Sequence, residues 1–376
     1  MSSSLVNDRL RLTPAKPGVY LMKDANDTVL YVGKASVLRN RVRSYFVPED
    51  TLATKTRLLM NQVSDFEYIV TDTESEALIL ENTLIKRYKP RYNVRLKDDK
   101  TYPYLKIDLQ EDFPRVYITR KVSNDGARYF GPFASAGSVR QTMDLVKRLF
   151  PYRSCTKTIT GVDPRPCLEF YINRCIAPCS GHASQEDYLD VIRQVIMFME
   201  GNTEEVTQQL QEKMLGASEN MEFERAAVLR DQINSIEKVL EDREIKVDSG
   251  KLADLDAIAL ASAENESSVE VFFIRHGKLI GRDRFLMEGT KEESPGSILG
   301  QFIKQFYQSA VVIPPTILMQ HEIEDVDVMV QWLRHTRGGS VRLTSPKRGI
   351  NKKIIDIVHE NAQQGLLHKR VSWMNN

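Results

Sequence analysis

Tyr20, Tyr31, Arg41 and Glu81 are the residues of this 376-residue chain whose types and spacing could do chemistry, with Lys34 between them. Hydrolysis of a phosphodiester needs an activated water, charge neutralisation at the phosphate and help for the leaving oxygen. Phenols, a guanidinium, an ammonium and one metal-binding carboxylate can supply those roles together. Glu81 is the most informative of the set. Leu78, Leu84 and Ile85 share its face of a predicted helix, so the carboxylate interrupts an apolar stripe. A buried carboxylate is costly without a cation or hydrogen-bond partners. A magnesium or manganese ion would meet that need with hard oxygen ligands and retained waters; a fixed salt bridge would meet it too. A phenol with its ordinary pKa of about 10 is a poor base, and nearby cations such as Lys34 and a metal are the physical remedy.

The elements that must position these residues form a short frame. Val19 to Met22 and Val29 to Val32 are β-prone runs flanking the turn-rich Asp24 to Asp27, which predicts a hairpin. A helical segment with Arg39, Arg41 and Arg43 follows, and Phe66 to Val70 supplies a third strand. Thr73-Glu74-Ser75-Glu76 is a capping-box signature for a helix that runs toward Tyr88 and stops before Pro90. Residues 16–95 thus make one small α/β unit. Residues 96–150 extend it with strands (Tyr102 to Ile107, Arg115 to Thr119, Tyr129 to Phe130) and a helix from Ser138 to Phe150. Residues 151–182 hold all the cysteines with little periodicity, and residues 183–250 are helical. Residues 254–376 alternate strands (Ala257 to Ala261, Val269 to Ile274, Ile317 to Met319, Val341 to Leu343) with helices, as a further α/β domain. The expected fold class is α/β multidomain.

The frame carries Gly18-Val19-Tyr20 and Tyr31-Val32-Gly33, then Gly33-Lys34-Ala35, Arg41-Val42-Arg43-Ser44-Tyr45-Phe46, Glu76-Ala77-Leu78-Ile79-Leu80-Glu81 and Pro90-Arg91-Tyr92-Asn93. In these motifs the chain is similar to the GIY-YIG nucleases and resembles the N-terminal half of UvrC, the bacterial excision-repair endonuclease subunit. The resemblance implies that Glu81 is the ligand of a Mg2+ or Mn2+ ion and that Tyr31 is the general base. It implies that Tyr20 positions water or phosphate and that Arg41 stabilises developing charge, as guanidinium forks do well. It also places Lys34, Tyr45 and Asn93 along the site, with Arg39 and Arg43 facing DNA.

Cys155, Cys167, Cys175 and Cys179 are the only cysteines, spaced C-x11-C-x7-C-x3-C. Four thiolates suit zinc and an iron–sulfur cluster equally in number, though the spacing lacks the C-x2-C knuckles zinc sites favour. The resemblance to UvrC implies a [4Fe–4S] centre, with Zn2+ as the alternative. Over about residues 205–240, the run Met221 to Ile233 fits a helical hairpin turning near Glu222. Its wording resembles the UVR motif, which in UvrC docks on a similar motif in UvrB. Met221, Phe223, Ala226, Ala227 and Arg230 would form that face, with Phe223 as its aromatic anchor. The resemblance implies DNA and UvrB as partners, with UvrA engaged indirectly.

A net charge of +1 hides segregation: residues 1–100 carry 17 basic and 13 acidic side chains, residues 181–250 carry 7 and 16. The front could meet phosphates; the acidic middle could not do so comfortably. No apolar run approaches membrane length and the N-terminus lacks the build of a signal peptide, so a cytoplasmic protein without a membrane partner is expected. Residues 254–261, 271–278 and 346–349 (D-L-D-A-I-A-L-A, V-F-F-I-R-H-G-K, P-K-R-G) resemble the UvrC segment ahead of its second nuclease. On that basis an RNase H-like domain and helix–hairpin–helix modules are expected to be missing, and Asp254 and Asp256 to be a mere strand entry. The expected activity is then the 3′ incision alone, from a fragment or a short Cho-like homologue. A non-catalytic UvrB-binding module and a mobile-element GIY-YIG nuclease are the alternatives.

Overall fold

The computed structural model describes residues 9–97, 102–123, 125–133, 135–243, 254–263, 266–275 and 277–374. The first unit is a three-stranded antiparallel sheet. Strand β1 (Gly18–Lys23) lies between β2 (Val29–Ala35) and β3 (Asp65–Val70). Asp24 builds the hairpin turn by accepting from the Asn26 and Thr28 amides, as an Asx turn does. Side chains alternate across β1. Val19 and Leu21 pack on α3 (Glu74–Tyr88), while Tyr20 and Met22 face α1 (Leu38–Arg43), Leu59 of α2 (Thr54–Met60) and Phe66. Thr73 caps α3 by accepting from the Glu76 amide, as the signature predicts. The Glu76 carboxylate accepts from Asp72, one residue ahead of the cap, so the box is half closed. The helix ends at left-handed Lys89 (φ 47°), because the residue before Pro90 is barred from the α region.

The middle unit has β5 (Tyr104–Ile107) between β6 (Val116–Thr119) and β7 (Arg128–Phe130), all antiparallel. Helices α4 (Ala136–Leu149) and α6 (Gln185–Glu200) pack on it, with the one-turn α5 (Leu168–Tyr171) among the cysteines. Each strand and the helix expected for residues 96–150 are present. Helices α7 (Thr203–Glu219) and α8 (Phe223–Arg243) form the hairpin, turning at residues 220–222 through left-handed Met221. The expected helical residues 244–250 lie outside the described residues.

Residues 254–374 form the largest sheet, with strand order β12-β11-β8-β9-β10-β4. Strands β8 (Leu255–Ala263), β9 (Glu266–Arg275) and β10 (Lys278–Glu288) make an antiparallel meander, and β11 (Thr316–Met319) and β12 (Arg342–Thr344) continue parallel to β8. Helices α9 (Pro295–Tyr307) and α10 (Val326–Arg337) cover one face, and α11 (Ile350–Met374) covers the other. Two features of this sheet are absent from the sequence-based expectation. The 11-residue β10 was hidden by its charges: Arg282 and Arg284 point outward while Phe285 and Met287 alternate into the core. The sixth strand, β4 (Arg95–Leu96), comes from the nuclease-like unit, so the boundary expected at residue 95 falls inside a pairing.

Candidate active site

The hairpin and α3 bring Tyr20, Tyr31, Lys34, Arg41, Tyr45 and Glu81 to one cleft of about 500 Å³. Tyr20 and Tyr45 share a hydroxyl–hydroxyl hydrogen bond of 2.7 Å, and the Arg41 Nε donates to the Tyr20 hydroxyl at 3.4 Å. The Arg41 guanidinium also lies 5.4 Å from the centre of the Tyr45 ring, a cation–π distance. The three phenol rings stand 5.6–6.3 Å apart. Gly33 makes room for this cluster, since a Cβ there would sit 2.3 Å from the Tyr20 hydroxyl. Burial first, then the Tyr45 phenol, hold Tyr20 well above the ordinary tyrosine pKa, with Arg41 opposing. Tyr31 is pushed the same way by burial, then by Tyr45, Tyr20 and the Glu81 carboxylate.

Glu81 has the cation that its place on an apolar stripe demands, and the cation is a side chain. Its Oε2 accepts from Lys304 Nζ at 2.8 Å, with the two side chains only 5 % and 7 % exposed. Its Oε1 accepts the Lys34 backbone amide at 3.2 Å. Lys34 Nζ in turn reaches Asp325 at 2.6 Å. Lys304 lies on α9 and Asp325 just before α10, so the 254–374 unit contacts both charged groups of the cleft. Sequence reasoning missed these two partners. The signal was present, because Lys304 interrupts the buried run Phe302, Ile303, Phe306 and Tyr307 as Glu81 interrupts its own.

The remaining expected residues are placed less directly. Asn93 does not line the cleft. Its side chain accepts from the Val32 amide (2.8 Å) and donates to the Val32 carbonyl (2.7 Å), pinning β2 from behind. Arg39 donates to the Thr13 carbonyl at 2.9 Å, whereas Arg43 is exposed.

Among the described residues no group of three or more His, Cys, Asp or Glu is arranged to hold a metal. Glu81 alone fits a magnesium ion that keeps most of its waters, once Lys304 withdraws. The four cysteines to which the resemblance gives a [4Fe–4S] or zinc centre are free thiols in this structure, near enough for Cys155 and Cys167 to act on Cys175. Cys175 and Cys179 are buried, Cys155 is half-buried and Cys167 is exposed. Burial raises the thiol pKa of Cys175, with the Ala177 amide opposing, and that of Cys179, with Lys157 opposing.

In the 254–374 unit, Asp256 is 1 % exposed and fully engaged, by Arg275 at 2.8 Å and the Tyr307 hydroxyl at 2.7 Å. Glu270 is likewise paired with Arg284 at 2.8 Å. Asp256 is therefore more than a strand entry: it anchors a buried charged network.

Four family profiles match in succession: a UvrC-like GIY-YIG domain (16–94), a UvrC/Cho excinuclease middle domain (102–198), a UvrB/UvrC motif (204–239) and a UvrC ribonuclease H-like domain (254–369). The last match overturns the expectation that an RNase H-like domain is missing. The chain is 47% identical over 371 residues to UvrABC system protein C of Dehalococcoides mccartyi, covering 99% of this chain and 61% of that protein. It is 45% identical over 359 residues to the Acetivibrio thermocellus protein of the same name, covering 95% of this chain and 57% of that one. The chain thus spans about three fifths of the length of these relatives. A crystal structure of the GIY-YIG N-terminal endonuclease domain of Thermotoga maritima UvrC with magnesium is 38% identical. It covers 24% of this chain and 98% of that one, at a TM-score of 0.22 that supports no structural argument. No described helix is long and apolar enough to cross a membrane.

Proposed function

Since this chain belongs to the UvrC family, we propose that it is a metal-dependent DNA endonuclease subunit of nucleotide excision repair. It makes the 3′ incision beside a lesion while docked on UvrB, with UvrA acting upstream. The observation that carries the proposal is the convergence of three tyrosines, Arg41 and Glu81 on one cleft. Arg41 faces the scissile phosphate with a fork of donors. Tyr20 and Tyr45, joined by their hydroxyls, orient the attacking water, and Asn93 holds the strand that carries Tyr31. A magnesium ion held by Glu81 would neutralise charge on the phosphate. In the folded arrangement Lys304 and Asp325 engage Glu81 and Lys34, so incision requires these two pairs to open.

Tyr31 is the general base. Its raised pKa keeps it neutral at ordinary pH, and below that pKa the phenolate fraction grows tenfold per pH unit. Initial incision rates are therefore expected to climb from about pH 6 to about pH 9 without levelling. Tyr31→Phe should lose about 10²- to 10⁴-fold. A flat profile, or a Tyr31→Phe enzyme as fast as the parent, would remove Tyr31 from this role.

The cut assigned to the GIY-YIG cleft is the one on the 3′ side of the lesion. The deciding experiment is reconstituted incision of a lesion-bearing duplex with UvrA, UvrB, ATP and Mg2+, with product ends resolved on a denaturing gel. No cut despite retained UvrB binding would favour a non-catalytic docking module, which the Lys304–Glu81 pair also favours.

Docking on UvrB is assigned to the helical hairpin. Met221 is 77% and Phe223 65% exposed at its turn, beside half-buried Ala226 and Ala227, while Arg230 is paired with Asp231. Phe223→Ala is expected to weaken UvrB binding by about tenfold or more in calorimetry, with an unchanged melting temperature. Unchanged affinity would move the interface elsewhere.

A further inference from the structure

Between Lys86 and Lys97 the chain carries Lys86, Arg87, Lys89, Arg91, Arg95 and Lys97, and no acidic residue. Four of these cations (Lys86, Lys89, Arg95 and Lys97) line a groove of about 240 Å³ whose opposite wall includes Gln305 and Gln308 of α9. Arg95 and Lys97 are among those already committed. Arg95 lies 3.7 Å from Glu288, and Lys97 lies 2.6 Å from Glu266 and 3.3 Å from Glu288. Those pairs hold β4 on the larger sheet. Lys86, Arg87 and Arg91 are different: all are exposed, and among the described residues no carboxylate pairs with them. Arg87 rests on the Tyr88 ring at 5.3 Å, which steadies the guanidinium and leaves its donors outward.

The placement of these charges relative to the cleft indicates what they meet. Lys86 and Arg87 follow Glu81 on the same helix by five and six residues, about 8–9 Å along its axis. That is roughly two to three base-pair steps at about 3.4 Å each. Lys86 lies one turn beyond Asn82, and Asn82 is the neighbour of Glu81 that turns toward this groove rather than into the cleft. Three exposed cations without a carboxylate partner fall within six residues, two at the end of the helix that carries Glu81 and Arg91 just past its cap, a density of charge suited to phosphates. A folded protein that kept them only for solubility would not need to exclude every carboxylate from a 12-residue stretch beside a phosphodiester cleft.

We propose that Lys86, Arg87 and Arg91 are a backbone-contact track that grips the duplex flanking the cut, through phosphates and without reading sequence. The inference rests on the nuclease assignment and adds to it the surface that holds the substrate. Contacts of this kind release condensed counterions, so they set the salt dependence of binding more than its sequence preference.

The test is fluorescence anisotropy of the full chain with a fluorescein-labelled duplex across a salt series. The triple variant Lys86→Ala/Arg87→Ala/Arg91→Ala is compared with a charge-matched control, Arg140→Ala/Arg148→Ala/Arg165→Ala, at three exposed cations elsewhere. The triple variant is expected to bind about tenfold or more weakly, with a log–log salt slope shallower by about two to three units. Its preference between unrelated sequences should be unchanged, and the control should match the parent. Parental affinity and slope in the triple variant, the outcome if an acidic protein surface were the true occupant, would overturn the track. An equal loss in the control would overturn it too. A parent that incises a lesion-bearing duplex with UvrA, UvrB, ATP and Mg2+ while the triple variant binds normally rejects the track alone; a parent that neither binds the labelled duplex nor incises in that reconstituted reaction rejects the nuclease assignment with it.

Discussion

Glu81→Gln is expected to abolish incision and, in the same molecule, to lower thermal stability. The catalytic half follows from the loss of the carboxylate assigned to hold a hard divalent cation; an amide oxygen is a much weaker ligand. A loss of at least about 10³-fold is expected, comparable to removing a principal electrostatic group from an active site. The stability half follows from Lys304. Glutamine keeps the volume of Glu81 and can still accept the Lys34 amide, but it leaves a nearly buried ammonium without its counter-charge. Removing one partner of such a pair costs about 3–5 kcal/mol. The double variant Glu81→Gln/Lys304→Met separates the two effects: calorimetric stability should return toward the parent while incision stays lost. Lys304→Met alone should become stabilised by added Mg2+, as a ligand that binds only the folded state stabilises it. A Glu81→Gln chain that still cuts would sink the metal assignment. An inactive but equally stable one would mean that the Lys304 pair contributes nothing to the fold.

Asp256→Ala is expected to be the most destabilising single change in the RNase H-like domain. It takes the counter-charge from Arg275, which keeps the Leu255 and Ile274 carbonyls, and the acceptor from the Tyr307 hydroxyl, whose phenol burial already drives well above the ordinary pKa. The same cost of about 3–5 kcal/mol applies, read as a drop of about 6–20 °C in melting temperature for a domain of this size class. The incision pattern of whatever protein stays folded at low temperature should be unchanged, with the 3′ cut retained. A folded, normally stable variant that loses a cut would instead make Asp256 a working carboxylate and give the RNase H-like domain an activity of its own.

The catalytic cluster was legible in the sequence because its members are local. Tyr20, Tyr31 and Arg41 lie on consecutive elements, and Glu81 on the helix that packs against them, so short-range patterning and the hairpin turn nearly determine their meeting. The partners of that cluster are remote: Lys304 is 223 positions from Glu81, and Asp325 is 291 from Lys34. No periodicity joins such pairs, although a lysine inside an apolar helical face was a hint of a buried counter-charge. Asn93 is a residue whose contacts spacing could not supply, since a side-chain amide can serve a substrate or a strand and here it holds Val32. Cysteine spacing gives the number of possible ligands and does not by itself tell a cluster from zinc. The RNase H-like sheet was half seen, because β10 spends alternate positions on arginines and so lacks an apolar run.

The β4–β10 pairing has a practical consequence for how this protein can be divided. Met287 and Glu288 face Leu96 and Arg95 across that ladder, so the last strand of the nuclease domain closes the edge of the sheet that follows it 160 or so residues later. Cutting the gene at the apparent end of the nuclease domain would leave β10 as a bare edge on the downstream piece, with unpaired amides and carbonyls beside Phe285 and Met287. Such an edge is a template for strand addition by another copy. The downstream half expressed alone should therefore oligomerise or precipitate unless residues through Lys97 travel with it or are supplied as a peptide.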